Sequence, residues 1–180
     1  MVLGPDGIVS GIRQVPSPNC DDRAGGEAIT LVVVHSISLP PGEYGGDCVE
    51  RLFTNRLDAG AHPYFAGLEG LRVSAHFFVR RDGTAMQFVP VGRRAWHAGT
   101  SSWRGRARCN DFSVGIELEG ADDSAFEPAQ YARLAGLVRA LRTRLPLREI
   151  AAHSDIAPGR KTDPGPAFDW PRCLSLLARA

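Results

Sequence analysis

The apolar positions of the chain follow two periods. Ile29 to Ser36 (Ile-Thr-Leu-Val-Val-Val-His-Ser) is a nearly continuous β-branched run, the pattern of a strand covered on both faces. Ser113 to Gly120 alternates instead, with Val114, Ile116 and Leu118 on one side and Ser113, Gly115, Glu117 and Glu119 on the other. Ser74–Arg81 and Thr84–Pro90 flank Asp82-Gly83, which predicts a hairpin. Helical spacing of Val49, Leu52, Phe53 and Leu57 predicts a helix over Asp47–Asp58, with Asp47 and Glu50 placed as a capping box. Tyr131, Leu134, Leu137, Val138, Leu141 and Leu145 predict a second helix that starts at Pro128 and is stopped by Pro146. A strand over Glu149–Ala152 and a terminal helix over Trp170–Ala178 follow. Residues 1–28 are rich in turn formers and read as an arm with room for one short strand. Strands and helices interleave, so the expected fold is α/β: one domain with a central mixed β-sheet flanked by helices on both faces. The arm 1–28 is expected to belong to the same domain as 29–180.

Composition changes this picture little. The 180 residues carry a net charge of +1 and an apolar share of 43%, which marks neither a nucleic-acid binder nor an anionic-membrane binder. No run is long enough to span a bilayer, and residues 1–14 lack the apolar core of a secretory leader. Cys20, Cys48, Cys109 and Cys173 are scattered, without Cys-x-x-Cys. Free thiols in a cytoplasmic protein are therefore expected.

The chemistry concentrates at strand ends. His35 closes the first buried run, and His153 follows Ile150-Ala151-Ala152. His153 opens a loop stiffened by Pro158, Pro164 and Pro166 that also holds Lys161 and Asp163. Two imidazoles and a carboxylate can hold Zn²⁺ with a fourth position left for water, and zinc would bring that water's pKa to about 7. Glu117, on an otherwise buried strand, needs a partner or a role. A general base is one such role, and Lys161 could donate to an oxyanion. Such a set suits amide hydrolysis. The ligands are far apart in sequence, however, and spacing alone leaves open that these are satisfied core and loop residues. His76, between apolar neighbours, reads as a hydrogen-bonded core residue and His62, before Pro63, as a turn residue. Trp96-His97 reads as core or as an aromatic face for a sugar or peptide. Arg104, Arg106 and Arg108 read as a solvated loop or a carboxylate-binding patch.

Several segments carry a resemblance. They are Val-Val-His-Ser-Ile-Ser-Leu-Pro-Pro-Gly (33–42), Leu-Arg-Val-Ser-Ala-His-Phe (71–77), Arg-Ala-Trp-His-Ala-Gly (94–99), Arg-Cys-Asn-Asp-Phe-Ser-Val-Gly-Ile-Glu-Leu-Glu-Gly (108–120) and the loop 153–170. In this order, across nearly the whole chain, they resemble the zinc-dependent N-acetylmuramoyl-L-alanine amidase family, related to peptidoglycan recognition proteins. Within it they resemble the cytoplasmic members that act on 1,6-anhydro-muropeptides. The resemblance implies one Zn²⁺ per chain on His35, His153 and Asp163, with Glu117 as proton acceptor and Lys161 as transition-state stabiliser. It further implies a muropeptide groove lined by Arg72, Trp96, His97 and Arg108. The implied reaction cuts the amide between the lactyl group of anhydro-N-acetylmuramic acid and L-alanine, in cell-wall recycling and, in some bacteria, indirect control of β-lactamase induction. A cytoplasmic monomer is expected, with an anhydro-muropeptide substrate and no nucleic-acid or membrane partner. Ser36 departs from the pattern: close relatives usually carry Asn after the histidine, which bears on fine specificity. A binding module of the same fold without catalysis is disfavoured, since the ligands, the base and the lysine are all present. A secreted enzyme acting on intact wall is disfavoured by the missing leader.

Overall fold

The computed structural model describes residues 1–23 and 25–178. In chain order the strands are β1 (Arg13–Gln14), β2 (Cys20–Asp22), β3 (Leu31–Ile37), β4 (Phe77–Val79), β5 (Ala85–Gln87), β6 (Arg93–Ala95), β7 (Ser102–Trp103), β8 (Arg106–Ala107), β9 (Ser113–Glu119) and β10 (Glu149–Ala152). The α-helices are α1 (Cys48–Phe53), α2 (Pro128–Arg142), α3 (His153–Ile156) and α4 (Trp170–Ala178). The main sheet has six strands in the order β1-β5-β4-β9-β3-β10. The pairs β4·β9, β9·β3 and β3·β10 are parallel, β4·β5 is antiparallel, and β1 joins the edge parallel to β5. The mixed sheet agrees with the expectation from sequence.

Alternation divides the sheet into two faces. Val32 and Val34 of β3, Val114, Ile116 and Leu118 of β9, and Phe77 and Val79 of β4 share one core with Leu134, Leu137, Val138 and Leu141 of α2 and Leu177 of α4. On the other face, Phe78 of β4 and Met86 of β5 pack with Val49, Leu52 and Phe53 of α1. Leu31, Val33 and Ala151 pack there with Phe112 and with Ile156 of α3. Helices thus cover both faces, and burial of these side chains supplies the main drive to fold.

The Asp82-Gly83 hairpin forms as expected. Arg80 N–H donates to Thr84 O (2.8 Å), Thr84 N–H donates to Asp82 Oδ1 (2.7 Å), and Gly83 takes φ +82°. The first helix is shorter than the periodicity predicts. It ends at Phe53 because Asn55 adopts a left-handed conformation (φ 59°), with its side chain locked to Asn19 (2.9 and 3.0 Å). The capping box at Asp47 does not form. Arg51 Nε donates to Asp47 Oδ2, while the Glu50 carboxylate receives the Arg13 guanidinium through two hydrogen bonds. The arm carries two strands rather than one, and Leu3 and Val9 are fully buried in the main core. The four cysteines are free.

Candidate metal centre

The site lies beyond the carboxyl ends of the parallel strands, where α/β sheets present their ligands. Register sets His35 of β3 beside Glu117 of β9, and Glu117 beside Phe78 of β4. On the other side of β3, Ala152 of β10 pairs with Val34, so the next residue, His153, emerges next to His35. There the chain turns into α3. Asp155 Oδ2 accepts from Ala152 N–H (2.8 Å), and the proline loop returns so that Ser154 N–H donates to Asp163 O (3.0 Å). Two strand ends and one pinned loop therefore bring together residues separated by more than a hundred positions.

Three atoms converge. His35 Nδ1 and His153 Nδ1 are 2.9 Å apart, and Asp163 Oδ2 lies 3.0 Å from the second and 3.3 Å from the first. Both histidines are buried. Burial pushes His35 down to about 4 despite the Asp163 carboxylate, which favours its charged form. Burial alone would raise the Asp163 carboxyl, but the His153 and His35 rings packed against it outweigh burial and hold it well below the usual range. The outer nitrogens are also engaged: His153 Nε2 lies 3.3 Å from Ala98 O, and His35 Nε2 lies 3.0 Å from His97 Nδ1. With the outer nitrogens engaged elsewhere, the two inner nitrogens are left to face a carboxylate. That donor set fits a divalent cation. Ligands about 2.0–2.1 Å from a tetrahedral zinc stand roughly 3.3–3.4 Å from one another, close to the spacings here.

Glu117 stands next to this cluster, with Oε1 4.0 Å from His35 Nδ1. Its other oxygen, Oε2, is buried and has no hydrogen-bond partner among the described residues. Burial, then the Asp163 charge, push its carboxyl well above the ordinary value, with Lys161 acting in the opposite sense. A buried acid with a raised pKa and a free oxygen is equipped to take a proton. A cavity of about 530 Å³ opens over the cluster, and Glu117, His153, Lys161, Asp163, Trp96 and Ser36 contribute to its walls.

The sequence-derived groove residues are placed unevenly. Trp96 and His97 line the cavity, but both ring nitrogens of His97 are taken, by His35 and by Ser113. Burial holds His97 well below its usual pKa. Arg72 lines an adjoining hollow of about 390 Å³ with Asp58 and Glu69; Leu52, Leu68 and Leu71 border both spaces. Arg108 does not reach the cavity. It sits exposed in a left-handed turn (φ 62°), its Nε 3.0 Å from Asp111 Oδ2. His76 is core, with Gly115 N–H donating to its Nδ1 (3.0 Å), and His62 caps the turn at Pro63 by accepting from Tyr64 N–H (3.1 Å). Two supports carry no sequence signal of their own. Arg160 Nη2 donates to Ala98 O and Thr100 O (2.6 and 2.7 Å), bracing the Trp96–Gly99 turn, and half-exposed Tyr64 walls the cavity.

Comparison with known proteins agrees with this architecture. Residues 25–166 match the family model described as N-acetylmuramoyl-L-alanine amidase. The chain is 55% identical over 178 residues to the 1,6-anhydro-N-acetylmuramyl-L-alanine amidase AmpD of Citrobacter freundii, covering 98% of this chain and 95% of that one. Among solved structures, a selenomethionine derivative of AmpD superposes with a TM-score of 0.96 at 55% identity, over 98% of this chain and 99% of that chain. The amidase AmiD from Escherichia coli, in complex with the substrate anhydro-N-acetylmuramic acid-L-Ala-D-γ-Glu-L-Lys, superposes with a TM-score of 0.60 at 32% identity, over 86% and 60%. With the family model spanning most of its length and a relative this similar end to end, the chain belongs to the N-acetylmuramoyl-L-alanine amidase family.

Proposed function

We propose that this amidase hydrolyses the bond between the lactyl group of 1,6-anhydro-N-acetylmuramic acid and L-alanine in anhydro-muropeptides, with one zinc ion held by His35, His153 and Asp163. The convergence of those three donor atoms within 3.3 Å carries the metal reading. The substrate reading is supported by the near full-length similarity to enzymes named for that bond and by the anhydro-muropeptide bound in the AmiD complex. A cytoplasmic place in wall recycling goes with that substrate. Among the described residues no helix is long and apolar enough to cross a membrane.

Zinc, when bound, supplies a Lewis acid that polarises the carbonyl and acidifies water. The chain's own residues do the rest. His35 and His153 are held in orientation because their outer nitrogens are engaged, by His97 and by the Ala98 carbonyl. Glu117 accepts the proton of the attacking water through its unpartnered Oε2 and returns it to the departing alanine nitrogen. Its raised pKa places it nearer the pH at which both halves of that transfer proceed. Lys161, on the cavity wall, donates to the oxygen on which negative charge develops. Trp96 offers an apolar wall to the sugar or peptide. The test is release of alanyl peptide from purified anhydro-muropeptide before chelation, after it, and after zinc is restored. Loss and recovery are expected; full turnover by metal-free protein would overturn the proposal.

A further inference from the structure

A chain of hydrogen bonds runs from the cluster into the core. His35 Nε2 lies 3.0 Å from His97 Nδ1, His97 Nε2 lies 3.2 Å from Ser113 Oγ, and Ser113 Oγ lies 2.6 Å from the carbonyl oxygen of Cys109. The far end sets the direction of every proton. A carbonyl has none to give, so the Ser113 hydroxyl donates to Cys109 and turns its lone pairs to His97. His97 must then carry its single proton on Nε2, which leaves Nδ1 bare. A bare Nδ1 accepts from His35 Nε2–H, and the one remaining nitrogen of His35, Nδ1, faces His153 and Asp163 with its lone pair free.

A metal-bound histidine ordinarily gives its outer N–H to a carboxylate, a backbone carbonyl or a water. Here the partner is another imidazole, which can act either way, so a further group must decide. We infer that His97 is a positioning residue, its tautomer set by Ser113 and the Cys109 carbonyl, and that it holds His35 with Nδ1 bare toward the metal position. The inference rests on the metal reading proposed above.

Strand β9 is built for this. Ser113, Gly115 and Glu117 are successive residues on one face. Ser113 directs the proton, Glu117 reaches the cluster, and Gly115 makes room between them. A Cβ on Gly115 would lie 2.6 Å from His97 Nδ1 and 2.7 Å from its Cδ2, so any larger residue would displace the ring. The backbone of His97 is fixed as well, because Asn110 Oδ1 accepts from both His97 N–H (3.2 Å) and Ala98 N–H (2.8 Å).

Two measurements on the zinc-loaded full chain test this. Long-range ¹H–¹⁵N spectra of labelled protein read histidine tautomers directly. His35 and His97 are both expected as Nε2–H, and His97 as Nδ1–H would overturn the inference. Zinc affinity by chelator competition is the second. His97→Phe fills the same space without an acceptor and is expected to weaken binding about 10–100-fold. His97→Asn restores an amide oxygen near the Nδ1 position and is expected to recover most of that loss. Parent-like affinity in His97→Phe would overturn the inference, and so would equal weakness of the two substitutions, which marks lost packing. If His97→Phe fails to fold, the tautomer spectrum of the parent decides alone. Failure of the parent itself to bind zinc would instead overturn the metal reading.

Discussion

Arg23 gives the sharpest stability prediction. Its guanidinium is largely buried and is spent on backbone carbonyls. Nε and Nη2 donate to Val91 O (3.2 and 3.1 Å), Nη1 to Asn110 O and Asp111 O (2.9 and 3.1 Å), and Nη2 also to Ser113 O (2.9 Å), with His76 Nε2 3.0 Å away. Burial, partly offset by Asp111, lowers its pKa to about 10. Among the described residues no carboxylate stands within 4.0 Å of it. The clasp ties the N-terminal arm to the end of the hairpin, to the segment before β9, and to β9. Arg23→Met keeps the apolar stem and removes the donors. Each buried carbonyl left unpaired costs about 1–3 kcal/mol, and relief from burying a charge offsets part of this, so a net loss of about 3 kcal/mol is expected. For a chain of this size that is roughly 6–12 °C in Tm. Arg23→Lys retains charge but not the planar fork and should recover about half of the loss. Urea unfolding of parent and both variants, extrapolated to water, is the assay. A loss under about 1 kcal/mol in Arg23→Met would refute the reasoning. So would full recovery by lysine, which would show that charge and not forked geometry matters.

Two further outcomes are expected. Glu117→Ala should keep its zinc and lose about 10²–10⁴-fold in turnover, because the three proposed ligand atoms remain while the proposed proton acceptor is gone; metal analysis beside an activity assay checks it, and a zinc-free variant would make Glu117 structural. Acid should destabilise the fold through His76, whose pKa burial lowers from 6.5 to about 3. Above pH 6.5 both states hold it neutral and nothing is lost. As pH falls from 6.5 toward 3 only the unfolded chain takes up the proton, at about 1.4 kcal/mol per pH unit and at most about 5 kcal/mol in all. The stability difference between parent and His76→Asn, measured by urea unfolding from pH 7 to pH 4, isolates this from the other buried histidines, and a difference flat with pH would refute it.

Where local pattern and tertiary environment agree, the chain could be read directly. The alternation of 113–120 survives as the two faces of β9, and Asp82-Gly83 makes its turn because both strands and the turn residues ask for it. The arm was not legible, since β1 is two exposed polar residues, Arg13 and Gln14, held by backbone pairing to Met86 and Gln87. No periodicity announces such a strand. Helix α1 stops early through a long-range pair, Asn55 with Asn19, that window-based spacing cannot see. At the site, residue types suggested a metal but left ordinary core roles open; the convergence of His35, His153 and Asp163 comes from adjacency of β3 and β10, a tertiary fact. For His97 the sequence leaves core and ligand-face roles open, and its place behind His35 depends on the absence of a side chain at Gly115.

The pairing of β10 with β3 ties the ligand cluster to the history of the chain. Strand β3 sits between β9 and β10, both of which are made much later in synthesis. A nascent chain that has formed β3 exposes His35 with nothing to meet, and its partners emerge only after another 118 residues, at His153, and beyond that at Asp163. Contacts of such long sequence separation close late and slowly. On the metal reading proposed above, tight ion capture reports a finished fold, and a ribosome-bound fragment lacking the final loop would hold the ion no better than an isolated histidine does.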